Sequence, residues 1–277
     1  MQDLGIFAYR IIGQESIASG SALDFVHDIQ NGKDGADTAI VIANPGQLLW
    51  NRRGQRALTL SSWNGLPRKT GVSNAIRIDP VKNRIPGNYD VKEHINCVFA
   101  AVKELAREDV KIDVIGVGEG AEESVKYLEE NWGIWDKKVE AICVGLGFVW
   151  QILAEIQNEK FVDFWAKVSY RILSTPNFPS AADTLQRARA YLIHNTPADT
   201  ALHGREEIGC NCFSAGEPTF VECIMPRAYK SMLSFFQMVH DVPGYFETEL
   251  VVPKDEEDMS RVVTWRNDAL GESPPAA

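Results

Sequence analysis

The chain alternates between two hydrophobic periods. Short continuous apolar runs read as strands buried on both faces of a parallel sheet. Thr38–Ala43 (TAIVIA), the run at 112–115, Lys138–Gly145 (KVEAICVG), Arg189–His194 and Cys210–Ser214 fit that description, and Ala75–Ile78 is a briefer one. Between them, apolar residues recur every three or four positions. The clearest such stretch follows Asp90, with Ile95, Val98, Phe99, Val102 and Leu105 on one stripe. Asp90 and Glu93 form a capping-box-like start for it. Weaker helical patterns occupy Ala22–Ile29 and 150–174, and Arg227–His240 is an amphipathic closing helix. The alternation predicts an α/β fold: a doubly wound, mostly parallel sheet with helices on both faces and a helical insertion over its carboxyl end. One domain is expected over residues 1–265, followed by a disordered tail at 266–277.

The pattern changes most sharply at Ile112–Leu128, IDVIGVGEGAEESVKYL. A strand runs into Gly116, Gly118 and Gly120 and straight on into a helix. A strand, tight turn and helix of the form G-x-S-x-G presents the nucleophile of α/β-hydrolases. Here the middle position is Gly118, which has no side chain to attack with. The same letters also fit a dinucleotide fingerprint ending at Ala121. That reading needs an acidic residue closing the next strand, and Glu140 precedes its strand's apolar run. A third reading is that the glycines only let the helix pack close to the sheet.

Composition narrows the classes. With 45% hydrophobic residues, the chain has ample material for a core. The net charge of −10 argues against strong non-specific nucleic-acid binding, though not against a local basic patch. No apolar run approaches the ~20 residues of a membrane span, and the N-terminus lacks the pattern of a secretion signal. A cytoplasmic or nuclear location is expected, with no membrane partner. Five scattered cysteines (Cys97, Cys143, Cys210, Cys212, Cys223) do not read as a disulfide framework. Cys210 and Cys212 lack a second ligand pair at zinc spacing, so no metal and no cofactor is expected.

The loop after Thr38–Ala43 is long and chemically dense. Loops beyond about 15 residues in a compact domain are usually functional or disordered. Residues 44–75 carry Asn44, Gly46, Gln47, Trp50, Arg52, Arg53, Arg56, Ser61, Ser62, Trp63, Arg68 and Lys69. Its five cations suit an anion clamp made by arginine forks, or a solvated basic face anchored by the two tryptophans. A second polar loop, 82–88, adds Arg84 and Asn88. His94 falls in the first turn of the helix after it, where a structural hydrogen bond is the expected role.

The order of these motifs resembles the Arb2-like proteins, an α/β-hydrolase-like group. It includes Argonaute-binding proteins and a domain at the C-terminus of certain fungal histone deacetylases. The matching pieces are IVIANPGQ at 40–47, NYDVKEH at 88–94, IGVGEGA at 115–121, HNTPADT at 194–200 and SAG at 214–216. The strings NPGQLLWNRRGQRALTLSSW and KNRIPGN look like a stand-alone fungal branch. The resemblance implies a serine at Gly118, an acid at Asp199 and a histidine within Glu217–Cys223. The acid is kept, and the serine and histidine are absent. Triad acyl transfer therefore has no nucleophile and no base.

What remains is a polar pocket. Backbone N–H groups at Gly46, Gln47 and Glu119 are expected to point inward. Glu119, Asp199 and Glu217 are the candidate acidic residues for a cationic group. The surrounding candidates are Asn44, Gly46, Gln47, Trp50, Arg56, Ser61, Trp63, Arg84, Asn88 and Gly118. The resemblance implies a degenerate hydrolase acting as an interaction or ligand-binding module, self-associating as a homodimer or docking in a chromatin or small-RNA complex. The alternative is an enzyme with non-serine chemistry in the same pocket: a synthase of arginine-containing cyclic dipeptides that draws on aminoacyl-tRNA. A hydrolase with a relocated nucleophile is third.

Overall fold

The computed structural model describes residues 3–68, 70–74, 76–147, 156–166, 186–203, 207–248 and 250. Near the N-terminus lie helices α1 (Tyr9–Gln14) and α2 (Ala22–Gln30), followed by a two-stranded antiparallel ribbon, β1 (Leu49–Asn51) and β2 (Arg56–Leu58). A short helix α3 (Leu60–Asn64) and a long α4 (Val91–Leu105) come next. The main sheet contains β3 (Ile112–Val117), β4 (Val139–Leu146), β5 (Ala188–Leu192), β6 (Ala201–Leu202) and β7 (Asn211–Ser214). Its order is β3-β4-β5-β7-β6. The first four strands are parallel, and β6 closes the far edge antiparallel to β7. The chain is thus an α/β fold with a mostly parallel sheet.

Helices cover both faces of that sheet. On one face lie α4, α5 (Glu119–Glu130), α6 (Trp132–Trp135) and α7 (Glu159–Trp165), which pack Phe99, Leu128, Trp135 and Trp165 against Ile142 and Leu146. On the other lies α8 (Ile224–Asp241), whose Ile224, Met232 and Phe235 meet Cys143, Tyr191 and Phe213. The strands alternate accordingly. Ile142 and Val144 face one layer, Ala141 and Cys143 the other, as the two-residue period of a strand requires. No described helix is long and apolar enough to cross a membrane.

The predicted start of α4 is realised. The Asp90 carboxylate accepts the Glu93 N–H at 2.8 Å, and the Glu93 carboxylate reaches back to the Tyr89 N–H at 3.0 Å. The first bond satisfies one of the helix's orphan donors, and the second fixes the residue that enters the cap. Ile95 and Phe99 from the predicted stripe are buried, whereas Leu105, past the end of the contact, is 83% exposed.

Two predicted strands do not form. Thr38–Ala43 has the β-branched composition of a buried strand, but it joins no sheet and Val41 is 63% exposed. The N–H of Thr38 closes the one-turn 3-10 helix Gly35–Asp37, and the N–H of the following Asn44 goes to the His94 ring. The donors at both ends of the run are spent off the ladder. Ile76–Ile78 forms no strand either. The Ile76 carbonyl accepts the Trp63 indole N–H at 2.9 Å, which holds the segment as a loop. Of the predicted helix at 150–174, α7 is described. Its remainder, the end of the expected domain to residue 265 and the tail at 266–277 lie outside the described residues.

At the amino edge of the sheet, residues beyond α8 are stapled down by a buried ion pair. Arg189 on β5 donates from Nε at 2.9 Å and from a terminal nitrogen at 3.0 Å to the two oxygens of Glu247. Asn211 and the Tyr245 hydroxyl also donate to that carboxylate. The guanidinium lies over the Phe213 and Phe235 rings. Burial disfavours its charge, yet the bonds to Glu247 and that residue's charge hold its pKa above the ordinary value. Glu140 stands at the same edge, paired with Lys111 and Arg187. It is therefore at the wrong end of β4 to receive a nucleotide ribose, and the dinucleotide reading fails on geometry.

Candidate functional site

The carboxyl ends of the parallel strands converge on the turn between β3 and α5. Gly118 holds φ 58° and ψ −133° there, and its N–H extends the ladder to the Gly145 carbonyl at 2.9 Å. Side chains rarely adopt that φ, which explains the glycine. Among the described residues space is not the constraint: a Cβ at Gly118 would have Val221 Cγ1 as its only neighbour within 4 Å, at 3.8 Å. Gly116 serves a different need. A Cβ there would sit 2.5 Å from the Ala121 Cα, so α5 rests against β3 only because this position is bare. The Glu119 and Gly120 N–H groups, first in α5, have no partner among the described residues. The Glu119 side chain is exposed and likewise without one.

Residues 44–47 pack beside this turn, with Pro45 Cγ 3.7 Å from where a Gly120 Cβ would be. The loop is held by its own polar groups. Asn44 Oδ1 accepts the Gly46 N–H at 3.0 Å, and its amide donates to Gln47 Oε1 at 3.0 Å. The Gln47 amide in turn donates to Asp3 at 2.7 Å.

His94 joins this loop to the next. Its Nε2 accepts the Asn44 N–H at 3.1 Å, and its Nδ1 meets Asn88 Oδ1 at 2.7 Å. The only consistent tautomer is neutral, with the proton on Nδ1. Burial pushes the ring's pKa below the ordinary value, which favours that form. One imidazole thus clasps both ends of the excursion 45–87.

Within the excursion, β1 pairs with β2 on one side and meets Arg84 through Leu49 on the other. Asn83 locks this edge by donating its amide to the Trp50 carbonyl at 2.9 Å and accepting the Trp50 N–H at its own carbonyl at 2.8 Å. Trp63 is buried and its indole is committed to Ile76, so it anchors the excursion from inside. Trp50, Ser61, Arg56 and Arg84 are exposed. Arg84 stacks on Tyr89 with 4.5 Å to the ring centroid.

The family model of the Arb2 domain matches residues 1–174. The chain belongs to the Arb2 domain family. No curated protein and no solved structure matches it. The matched part of this Arb2 domain takes in the 44–47 loop, the excursion, His94 and the Gly118 turn. The motifs at 194–200 and 214–216 lie beyond it.

The three candidate acids share an edge, but each carboxylate is turned to a different task. Glu217 is buried, and its Oε1 accepts the N–H groups of Thr219 at 2.8 Å and Phe220 at 3.0 Å. It shapes the turn that carries Val221 over Gly118. Asp199, at φ 66°, sends its carboxylate to the Ser231 hydroxyl on α8, which also meets the Tyr191 hydroxyl at 3.0 Å. Of the three, Glu119 alone has no side-chain partner among the described residues. Asn44, Gln47 and Asn88 likewise spend their side chains on loop geometry. Ser231 and Val221 were not legible as site neighbours, because they reach the edge from α8 and its preceding turn, far along the chain.

Proposed function

We propose that the carboxyl edge of this Arb2 domain is an α/β-hydrolase-like elbow without its covalent chemistry, and that it binds a small cationic group. The observation that carries this reading is Gly118. It occupies a left-handed conformation between a strand and a helix, where a nucleophile would be presented, and carries no side chain. Beside it stands Glu119, an exposed and uncommitted carboxylate at a helix start, where negative charge gains from the helix dipole. The partners the family resemblance suggests are a second copy of the chain or a chromatin or small-RNA complex, met through this edge.

A second reading is favoured by the Glu119 and Gly120 N–H groups, which have no partner among the described residues, beside an arginine-bearing excursion. Two such donors can hold an ester carbonyl oxygen as charge develops on it. A substrate that brings its own amine needs no enzyme nucleophile. Synthesis of an arginine-containing cyclic dipeptide from aminoacyl-tRNA has that form. The amine of one aminoacyl group attacks the ester carbonyl of the other, the C–N bond forms, and the C–O bond to ribose breaks. The ribose hydroxyl leaves with the amine's proton, and a second such step closes the ring.

Calorimetric titration with arginine methyl ester and mass spectrometry of host-cell extracts separate the two. Binding that Glu119→Ala abolishes, without a new product, supports the binding module. A new arginine-containing cyclic dipeptide that disappears in Glu119→Ala supports the synthase. Neither binding nor product would overturn both.

A further inference from the structure

The piece HNTPADT at 194–200 opens on a histidine that neither reading of the elbow uses. His194 follows β5, and its N–H reaches the Glu217 carbonyl at 2.9 Å, beyond the end of β7. It therefore stands at the carboxyl edge of the sheet, on the strand two places from β3. The alternation of β5 gives the side it faces. Ala188, Ala190 and Leu192 belong to the layer of α4, α5 and α7, whereas Tyr191 and Ile193 pack towards α8. The next position on the α5 side is 194. Glu119 opens α5 in that same layer. The imidazole and the Glu119 carboxylate thus share one face and one edge, with β4 between them.

The ring's proton is placed by Thr196. Nδ1 accepts the Thr196 N–H at 3.3 Å and meets the Thr196 hydroxyl at 2.9 Å. A backbone N–H can only donate, so Nδ1 is an acceptor and the neutral ring carries its proton on Nε2. That Nε2 has no hydrogen-bond partner among the described residues. It is a donor and not a base, which agrees with an edge that holds no triad.

We propose that His194 donates from Nε2 to the carbonyl oxygen of the ligand, which narrows the ligand from any small cation to an arginyl ester. This rests on the reading of Glu119 as the partner of a cation. Neighbouring strands lie ~4.8 Å apart, so the two residues start about 10 Å apart. In an extended arginyl ester, six bonds of ~1.5 Å separate the guanidinium carbon from the ester carbonyl, a zigzag of about 7–8 Å. With a hydrogen bond at each end, one molecule bridges Glu119 and His194. An ester carbonyl is neutral, so it avoids the repulsion that a free carboxylate would meet from Glu119, Asp199 and Glu217. A cation without an acyl group satisfies Glu119 alone and leaves the imidazole N–H unmet, which is how a donor discriminates.

The test is calorimetric titration of the full chain with arginine methyl ester and with agmatine, which keeps the guanidinium and the amine but has no acyl group. The ester is expected to bind about fivefold tighter, the worth of one neutral hydrogen bond. His194→Ala should bring the ester down to the affinity of agmatine and leave agmatine unchanged. His194→Gln, whose amide nitrogen takes the place of Nε2, should keep the preference. A preference that survives His194→Ala overturns the proposal. So does a loss shared equally by both probes, which marks a residue that only holds the loop. Equal binding of both probes by the native chain, abolished by Glu119→Ala, sinks the role of His194 and leaves the cation reading standing. Binding of neither probe overturns the cation reading itself, and this inference with it.

Discussion

His94→Ala should loosen the excursion without unfolding the sheet. The substitution removes the acceptor for the Asn44 N–H and the donor to Asn88 Oδ1. Each net hydrogen bond contributes about 1 kcal/mol, and a polar group left buried without a partner costs more. The two together come to about 2–3 kcal/mol. Domain stability is about 5–15 kcal/mol, so the core should survive. The loss should appear locally, because the two bonds tie residues 44 and 88 to α4 and touch nothing else. Amide hydrogen exchange is the assay. The N–H of Trp50, bonded to the Asn83 carbonyl, and the amides of β2 should exchange roughly 30- to 150-fold faster. Amides of β4 should not change. Acid should mimic the substitution. Burial holds the His94 pKa below its ordinary 6.5, so the neutral ring's contribution is complete above pH 6.5. It is lost as pH falls through the folded value, when Nε2 gains a proton and faces the Asn44 N–H donor to donor. The alanine variant should lack this acid-induced loosening. Uniform acceleration across β2 and β4, or an acid response that persists in the variant, would refute the clasp.

Three further outcomes follow from the same structure. Glu247→Ala leaves the buried Arg189 guanidinium unpaired and should cost about 3–5 kcal/mol in urea unfolding, whereas pairing it with Arg189→Met should recover much of the loss. His240 is opposite in sign to His94. Its hydrogen bond to Asp113 raises its pKa, so its contribution is present below pH 6.5 and lost as pH rises through the folded value; His240→Ala should flatten stability across that window. Gly118→Ser should fold at a cost of about 1–3 kcal/mol, given the strained φ and the open space, and should not hydrolyse an activated ester. Gly116→Ala meets the Ala121 backbone and should be tolerated less well.

The parts of the fold that could be read from the sequence are those set by local periodicity. The β3 turn, the capping box of α4 and the apolar runs of β4, β5 and β7 each announce themselves within about a dozen residues. Thr38–Ala43 shows the limit of that logic. Its β-branched run has the composition of a strand, but membership depends on a ladder partner, and His94 takes the Asn44 N–H instead. The candidate acids were found by motif order, while their side-chain commitments were not. Asp199 meets Ser231 and Glu217 turns back on Thr219 and Phe220, contacts that depend on how segments meet in space. Arg189 did leave a signal: an arginine inside an apolar strand needs a counter-charge. Nothing nearby in sequence pointed to Glu247 as the one that supplies it.

The Arg189–Glu247 staple also sets an order of events during synthesis. The two partners are 58 residues apart. At about 5–20 residues per second, Glu247 is made roughly 3–12 s after Arg189. Through that interval β5 carries a guanidinium without its carboxylate, and closing α8 over it would bury an uncompensated charge. α8 ends at Asp241, six residues before Glu247, so the helix that covers Arg189 and the carboxylate that neutralises it are made almost together. The α8 face is therefore expected to close last, with helix and counter-charge arriving as one segment.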